Sequence, residues 1–117
     1  MQYLHNPRCS KSRQGLELLA ANGVHPDIVL YLKEPLSEAQ LTHLVSALGI
    51  TDVTQMMRTK EPEFTALGLQ GASNEKLIRA MAQTPKLIER PILIDGDKAV
   101  IGRPPEQLLS LVQVNRS

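Results

Sequence analysis

The strongest constraint on how this chain can fold is the shortness of its apolar runs and the breakers that stop them. Residues 2–5, 27–31 and 92–94 are too short for helices and rich in strand formers, and proline, asparagine or glycine punctuates their edges. Asn6-Pro7 closes the first run, because proline restricts the residue before it to extended or turn geometry. Helical spacing follows: Leu16, Leu19 and Ala20 share a face, Leu18 lies near its edge, and Asn22-Gly23 supplies a left-handed stop. Pro26 then leads into Asp27-Ile28-Val29-Leu30-Tyr31, a second strand. The result is β-α-β, whose parallel crossover is expected to be right-handed.

Ser37 with Gln40 is a capping box, and Leu36 with Leu41 is placed as its hydrophobic staple, so a helix begins there with Leu41, Leu44, Val45 and Leu48 on its apolar face. Gly49 ends it. Shorter helical pieces are expected from Asp52 to about Met57 and from Pro62 to Gly68, and a longer helix starts at Ser73, buries Leu77, Ile78 and Met81, and ends before Thr84-Pro85. Ile92-Leu93-Ile94, Asp95-Gly96-Asp97 and Lys98-Ala99-Val100-Ile101 read as a tight antiparallel hairpin. Arg103-Pro104-Pro105-Glu106 opens a last helix with Leu108, Leu109 and Val112 inward. The order is β-α-β, a helical insertion, then β-β-α. It predicts an α/β fold with a four-stranded mixed sheet and helices on its faces, residues 1–117 forming a single domain.

Charge and cysteine usage exclude several classes. The 13 basic residues against 12 acidic ones lack the excess that a phosphate-backbone binder needs, so nucleic acid is not an expected partner. No apolar stretch approaches the roughly 20 residues that span a bilayer, and no basic segment with an apolar signal core opens the chain. No membrane association and a cytoplasmic location are the expectation. A lone cysteine cannot form an intramolecular disulfide, and the three histidines have no ligand-like spacing, so no metal is expected either.

That cysteine is Cys9, in His5-Asn6-Pro7-Arg8-Cys9-Ser10-Lys11-Ser12-Arg13, where a strand should turn into a helix. Unpaired N–H groups and the positive end of the helix dipole favour an anion there, whether thiolate or bound oxyanion, and lower a thiol's pKa. A buried, inert thiol is the bland alternative, but the polar, basic neighbourhood of Arg8, Lys11 and Arg13 favours a reactive one. His5 is compatible on spacing alone with a hydrogen-bonded strand end or with support of the thiolate. Three further arginines merit weighing: Arg58 after Met57, Arg90 before Pro91 and Arg103 before Pro104. The two that precede proline should sit at element ends, where a guanidinium can point at a common site, although an exposed surface position is the commoner one for any single arginine.

Together these features resemble the glutaredoxin-coupled arsenate reductases, a thioredoxin-like family whose loop reads His-Asn-Pro-x-Cys-x-x-Ser-Arg. The likeness continues through Leu30-Tyr31-Leu32, Met57-Arg58, Leu87-Ile88-Glu89-Arg90-Pro91-Ile92 and Ile101-Gly102-Arg103-Pro104, in the same order along nearly the whole chain. The loop has Ser10-Lys11 where the longer resistance-type enzymes commonly have Gly-Thr, and so is similar to the short chromosomal branch. The resemblance implies a thioredoxin-like fold and an enzyme that reduces arsenate, with Cys9 as nucleophile, His5 supporting its thiolate, and Arg58, Arg90 and Arg103 binding the oxyanion. Asn6, Ser12 and Arg13 would shape the loop, and Pro91 would match the cis-proline facing the active-site cysteine of such folds. No bound cofactor is implied. Glutathione would act as co-substrate and glutaredoxin as partner, in keeping with the absence of a second cysteine.

A phosphatase-like oxyanion loop needs Cys-x5-Arg, whereas Cys9 to Arg13 is Cys-x3-Arg. A thioredoxin-like transcriptional regulator would more usually show Cys-x-x-Cys, and position 12 is serine. The remaining alternative is a glutathione-dependent thiol-disulfide reductase acting on another substrate, with the arginines binding glutathione carboxylates.

Overall fold

The structure, a computed structural model, describes the backbone of residues 1–116 and the side chains of residues 1–112. In chain order its elements are β1 (Gln2–Leu4), α1 (Ser10–Ala21), β2 (Asp27–Val29), α2 (Glu38–Leu48), α3 (Pro62–Ala66), α4 (Asn74–Gln83), β3 (Ile92–Asp95), β4 (Lys98–Ile101) and α5 (Leu108–Arg116). Single 3-10 turns at Val53–Met56, Pro85–Leu87 and Pro105–Gln107 join them. The sheet order is β2-β1-β3-β4, with β1 parallel to β2 and antiparallel to β3, and β3 antiparallel to β4. This is the expected four-stranded mixed sheet of a thioredoxin-like α/β fold.

Strand alternation divides the core into two layers. Tyr3 and Leu93 are register partners and pack with Leu19 of α1 and Leu108, Leu111 and Val112 of α5 on one face. Leu4 and Ile92, the next pair, face the other way into Leu41 and Leu44 of α2 and Leu77 and Met81 of α4. Burial of each such side chain contributes about 1.5–3 kcal/mol. The capping box of α2 is made in full: Gln40 N–H donates to Ser37 Oγ at 3.1 Å, and Ser37 N–H donates to Gln40 Oε1 at 2.8 Å. Gly49 ends that helix at φ 69°.

Four local expectations are corrected. The second strand stops at Val29 because Leu30 O accepts from the N–H groups of Lys33 and Glu34, both at 2.9 Å, which turns Tyr31 out of the ladder and into the core. The first strand stops at Leu4, although His5 N–H still donates to Val29 O at 3.0 Å. Ala20 is exposed; the buried stripe of α1 is Ser12, Gly15 and Leu19, because small residues let the helix approach Tyr3 and Leu108 closely. Among the described side chains of α5 the buried positions are Leu108, Leu111 and Val112, with Leu109 only partly covered, since the helix starts at Leu108 and not at the proline pair.

The topology gathers several chain segments at one end of the sheet. Leu4, Ile92 and Ile101 lie side by side in register, so the segments that follow β1, precede β3 and follow β4 emerge together. A bridge between Met57 and Ile88 adds Arg58, whose N–H donates to Leu87 O at 2.7 Å, while Glu89 N–H donates to Met56 O at 2.8 Å. Four stretches far apart in sequence thus meet beside the amino end of α1.

Candidate active site

Cys9 is the N-cap of α1, with extended backbone angles, and its carbonyl accepts from Arg13 N–H at 3.0 Å. Its side chain caps nothing, so the sulfur is free to receive helix-end donors. Burial pushes this thiol up, but the Ser12 amide, the positive charge of Arg90 and the Lys11 amide outweigh it and bring its pKa below that of an ordinary thiol. The thiol is partly accessible, as a nucleophile requires.

The loop is built around Ser12, which is fully buried. Its Oγ accepts from Asn6 N–H at 3.0 Å and shares a 2.7 Å hydrogen bond with His5 Nδ1, and its carbonyl accepts from the Tyr3 hydroxyl at 2.6 Å. Asn6 in turn holds the turn with its side chain, Oδ1 accepting from Arg8 N–H at 3.1 Å, and its carbonyl accepts from Cys9 N–H at 3.0 Å. Arg13 reaches back to Pro7 O at 2.8 Å, closing the loop from outside. His5 is thus held by Ser12 through Nδ1; burial, and then the charge of Arg13, lower its pKa and favour the neutral ring. Pro91 follows a cis peptide bond and packs beside Gly15 and Gly102, where an added Cβ would come within 3.3 Å and 3.0 Å of its ring.

Arg58, Arg90 and Arg103 line one cavity of about 420 Å³, together with Met57, Thr59, Lys60, Glu61 and Glu89. Arg103 Nη2 lies 4.0 Å from Cys9 Sγ, and Arg103 Nε donates to Arg90 O at 2.7 Å, which ties two of the arginines to each other and to the thiol. Arg90 is the most enclosed, its side chain 12% exposed. Its Nε is buried and has no hydrogen-bond partner among the described residues. A buried guanidinium donor without an acceptor is costly, and an anion in the cavity would supply one. Tyr31, wholly buried, feels the charges of Arg90, Arg58, Cys9 and Glu89; burial dominates and pushes its phenol up to about 12, so it stays neutral beside the cluster.

Two acidic residues of this cavity carry no role in the sequence reading. Glu61 Oε1 pairs with Arg58 at 2.7 Å, an i,i+3 spacing visible in the sequence. Glu89 Oε1 lies 3.1 Å from Arg103 Nε and 3.5 Å from Arg90 Nη1. Its adjacency to Arg90 was visible, but its contact with Arg103 exists only because β3 and β4 are paired.

A larger groove of about 650 Å³ lies between α2 and the β2-β1-β3 part of the sheet, lined by residues including Leu4, Val29, Leu36, His43 and Ile94. None of the three arginines borders it, and Cys9 lines neither cavity, so size does not mark the candidate site; the approach of Arg103 Nη2 to within 4.0 Å of a thiol of lowered pKa does. Among the described residues no three of His, Cys, Asp and Glu are placed to hold a metal ion, and no helix is long and apolar enough to cross a membrane.

Residues 4–111 match the ArsC family. The chain is 48% identical over 110 residues to a protein of Haemophilus influenzae named arsenate reductase, covering 92% of this chain and 95% of that one. It is 51% identical over 110 residues, 92% of each chain, to a protein of Escherichia coli K12 described as uncharacterized protein YfgD. The solved structure of an arsenate reductase from Vibrio cholerae superposes with a TM-score of 0.89 at 44% identity, covering 94% of this chain and 97% of that one.

Proposed function

The chain belongs to the ArsC family, and from that premise we propose that it reduces arsenate to arsenite through a Cys9 thiolate, with glutathione and glutaredoxin as external reductants. The observation that carries this reading is the cavity in which Arg58, Arg90 and Arg103 converge, with an unpartnered buried donor on Arg90 and with Arg103 Nη2 4.0 Å from the sulfur. Planar guanidinium forks suit a tetrahedral oxyanion better than lysines do, and they neutralise charge that would otherwise repel a thiolate nucleophile.

In the first step Cys9 Sγ attacks arsenic(V) and an oxygen leaves as water after protonation, which forms a sulfur–arsenic bond. Glutathione thiolate then attacks Sγ, a sulfur–sulfur bond forms, the sulfur–arsenic bond breaks, and its electron pair stays on arsenic, giving arsenite. Two electrons pass from two thiols to arsenic. Glutaredoxin takes the glutathione sulfur in a further exchange and returns the Cys9 thiolate. One cysteine in the chain makes an external thiol necessary for the second step, and supports this reductant. Arg58, Arg90 and Arg103 bind substrate; His5, Asn6, Ser12 and Arg13 position the loop.

A coupled assay containing arsenate, glutathione, glutaredoxin, glutathione reductase and NADPH tests the proposal. Arsenate-dependent NADPH oxidation that disappears with Cys9→Ser is the expected result, and no arsenate-dependent oxidation by the wild-type protein would overturn it.

A further inference from the structure

Among the described residues, every donor to the Glu89 side chain falls on one of its two oxygens. Oε1 accepts from Arg90 N–H at 3.2 Å and lies 3.5 Å from Arg90 Nη1 and 3.1 Å from Arg103 Nε. No hydrogen bond or ion pair from the described residues falls on Oε2, and the side chain borders the arginine cavity. Glu61, the other carboxylate there, is differently placed, with Oε1 on Arg58 at 2.7 Å and Oε2 3.7 Å from Lys86 Nζ. Glu89 Oε2 is thus left as an acceptor in a cavity that also holds three arginines, a lysine and the ion-paired Glu61.

An acceptor in an anion site discriminates by protons. Near neutral pH arsenate and phosphate each keep at least one O–H, while sulfate keeps none. A hydrogen oxyanion can donate to a free carboxylate oxygen and accept from guanidinium groups in the same pose. Sulfate would set lone pair against lone pair, and the like-charge repulsion would have no hydrogen bond to offset it.

We propose that Glu89 is a specificity-determining residue of this cavity: Oε2 accepts the O–H of a protonated tetrahedral oxyanion, so the cavity takes hydrogen arsenate and hydrogen phosphate in preference to fully ionised sulfate. The inference rests on the oxyanion reading of the same cavity. It involves no proton transfer, only a hydrogen bond that one class of anion can make. Glu89→Gln isolates the effect, because the amide oxygen can still accept from the arginine donors while the second position becomes an N–H₂ donor without charge.

The test is protection of Cys9, the sole cysteine, from iodoacetamide in the full chain, followed by mass spectrometry at constant ionic strength with inorganic phosphate or sulfate as the anion. In the wild type, phosphate should protect at concentrations at least about tenfold lower than sulfate. In Glu89→Gln, sulfate protection should strengthen by about tenfold and the preference should collapse. An unchanged phosphate-to-sulfate ratio in Glu89→Gln overturns the role of Glu89 and leaves the oxyanion site standing. A parallel loss of protection by both anions in Glu89→Gln and Glu89→Ala identifies a merely structural carboxylate and also overturns it. Protection by neither anion in any form removes the oxyanion site, and the inference with it.

Discussion

Replacing Ser12 with alanine should damage the loop far more than the loss of one small hydroxyl suggests. Oγ is fully buried and serves two partners, accepting from Asn6 N–H at 3.0 Å and sharing a 2.7 Å bond with His5 Nδ1. Alanine fits the space but leaves both groups without a partner, whichever of the His5–Ser12 pair carries the proton. An orphaned buried polar group costs about 1–3 kcal/mol, and the Asn6 amide, being only partly covered, belongs at the low end. The sum is about 2–4 kcal/mol, a large share of the roughly 5–15 kcal/mol that holds a domain folded. Urea denaturation followed by circular dichroism should show the midpoint falling by roughly 1–3 M with little change in slope. The backbone donors of Lys11 and Ser12 stay in place, so the pH midpoint of Cys9 alkylation should move much less than the stability. A loss below about 0.5 kcal/mol would refute the reasoning, because that is the range of an ordinary surface substitution.

Three further outcomes follow from the same geometry. Cys9 alkylation by iodoacetamide should rise with a midpoint below the value of about 8.5 for a free cysteine, since the folded thiol is depressed by the Ser12 amide and the Arg90 charge against the opposing effect of burial. Because its folded pKa is the lower one, the thiolate stabilises the fold above the unfolded pKa and that contribution fades as pH falls through the folded value; a midpoint at or above 8.5 would contradict the assignment. Arg90→Ala or Arg103→Ala should lower arsenate turnover by a factor on the order of a hundred, and near-normal rates for both variants would remove them from the site. Gly15→Ala should cost about 1–3 kcal/mol by overpacking, since its Cβ would collide with the Tyr3 hydroxyl and meet Leu108 Cδ1 at 2.9 Å; thermal melting unchanged from the wild type would show that the helix can shift at no cost.

Much of this fold and half of its site are legible before any coordinates, for local reasons. The capping box at Ser37 and Gln40, the stops at Gly23 and Gly49 and the two-residue hairpin turn at Gly96-Asp97 are short-range chemistry, and each appears where the pattern puts it. So does the placement of Cys9 at the start of α1, which follows from a proline break ahead of helical spacing. Periodicity was less reliable at element ends: Tyr31 looked like the end of a strand, and Leu109 looked like a core position, because neither the turn after Val29 nor the late start of α5 has a period of its own.

The remainder belonged to the tertiary structure. Sequence could name Arg58, Arg90 and Arg103 as candidates, but for any one of them a surface position was the commoner expectation, and only the pairing of Leu4 with Ile92 and of Ile92 with Ile101, with the Met57–Ile88 bridge, brings them to one cavity. Spacing left His5 open between a hydrogen-bonded strand end and support of the thiolate, and folding gives it the Ser12 hydroxyl as its partner. Glu89 showed no sign of touching Arg103, a contact made by strand pairing and absent from any local pattern. Hydrogen bonds within a turn are decided by residues a few positions apart, and so the chain declares them. Convergence of charges from four separated segments is decided by sheet register and core packing, which no single segment contains.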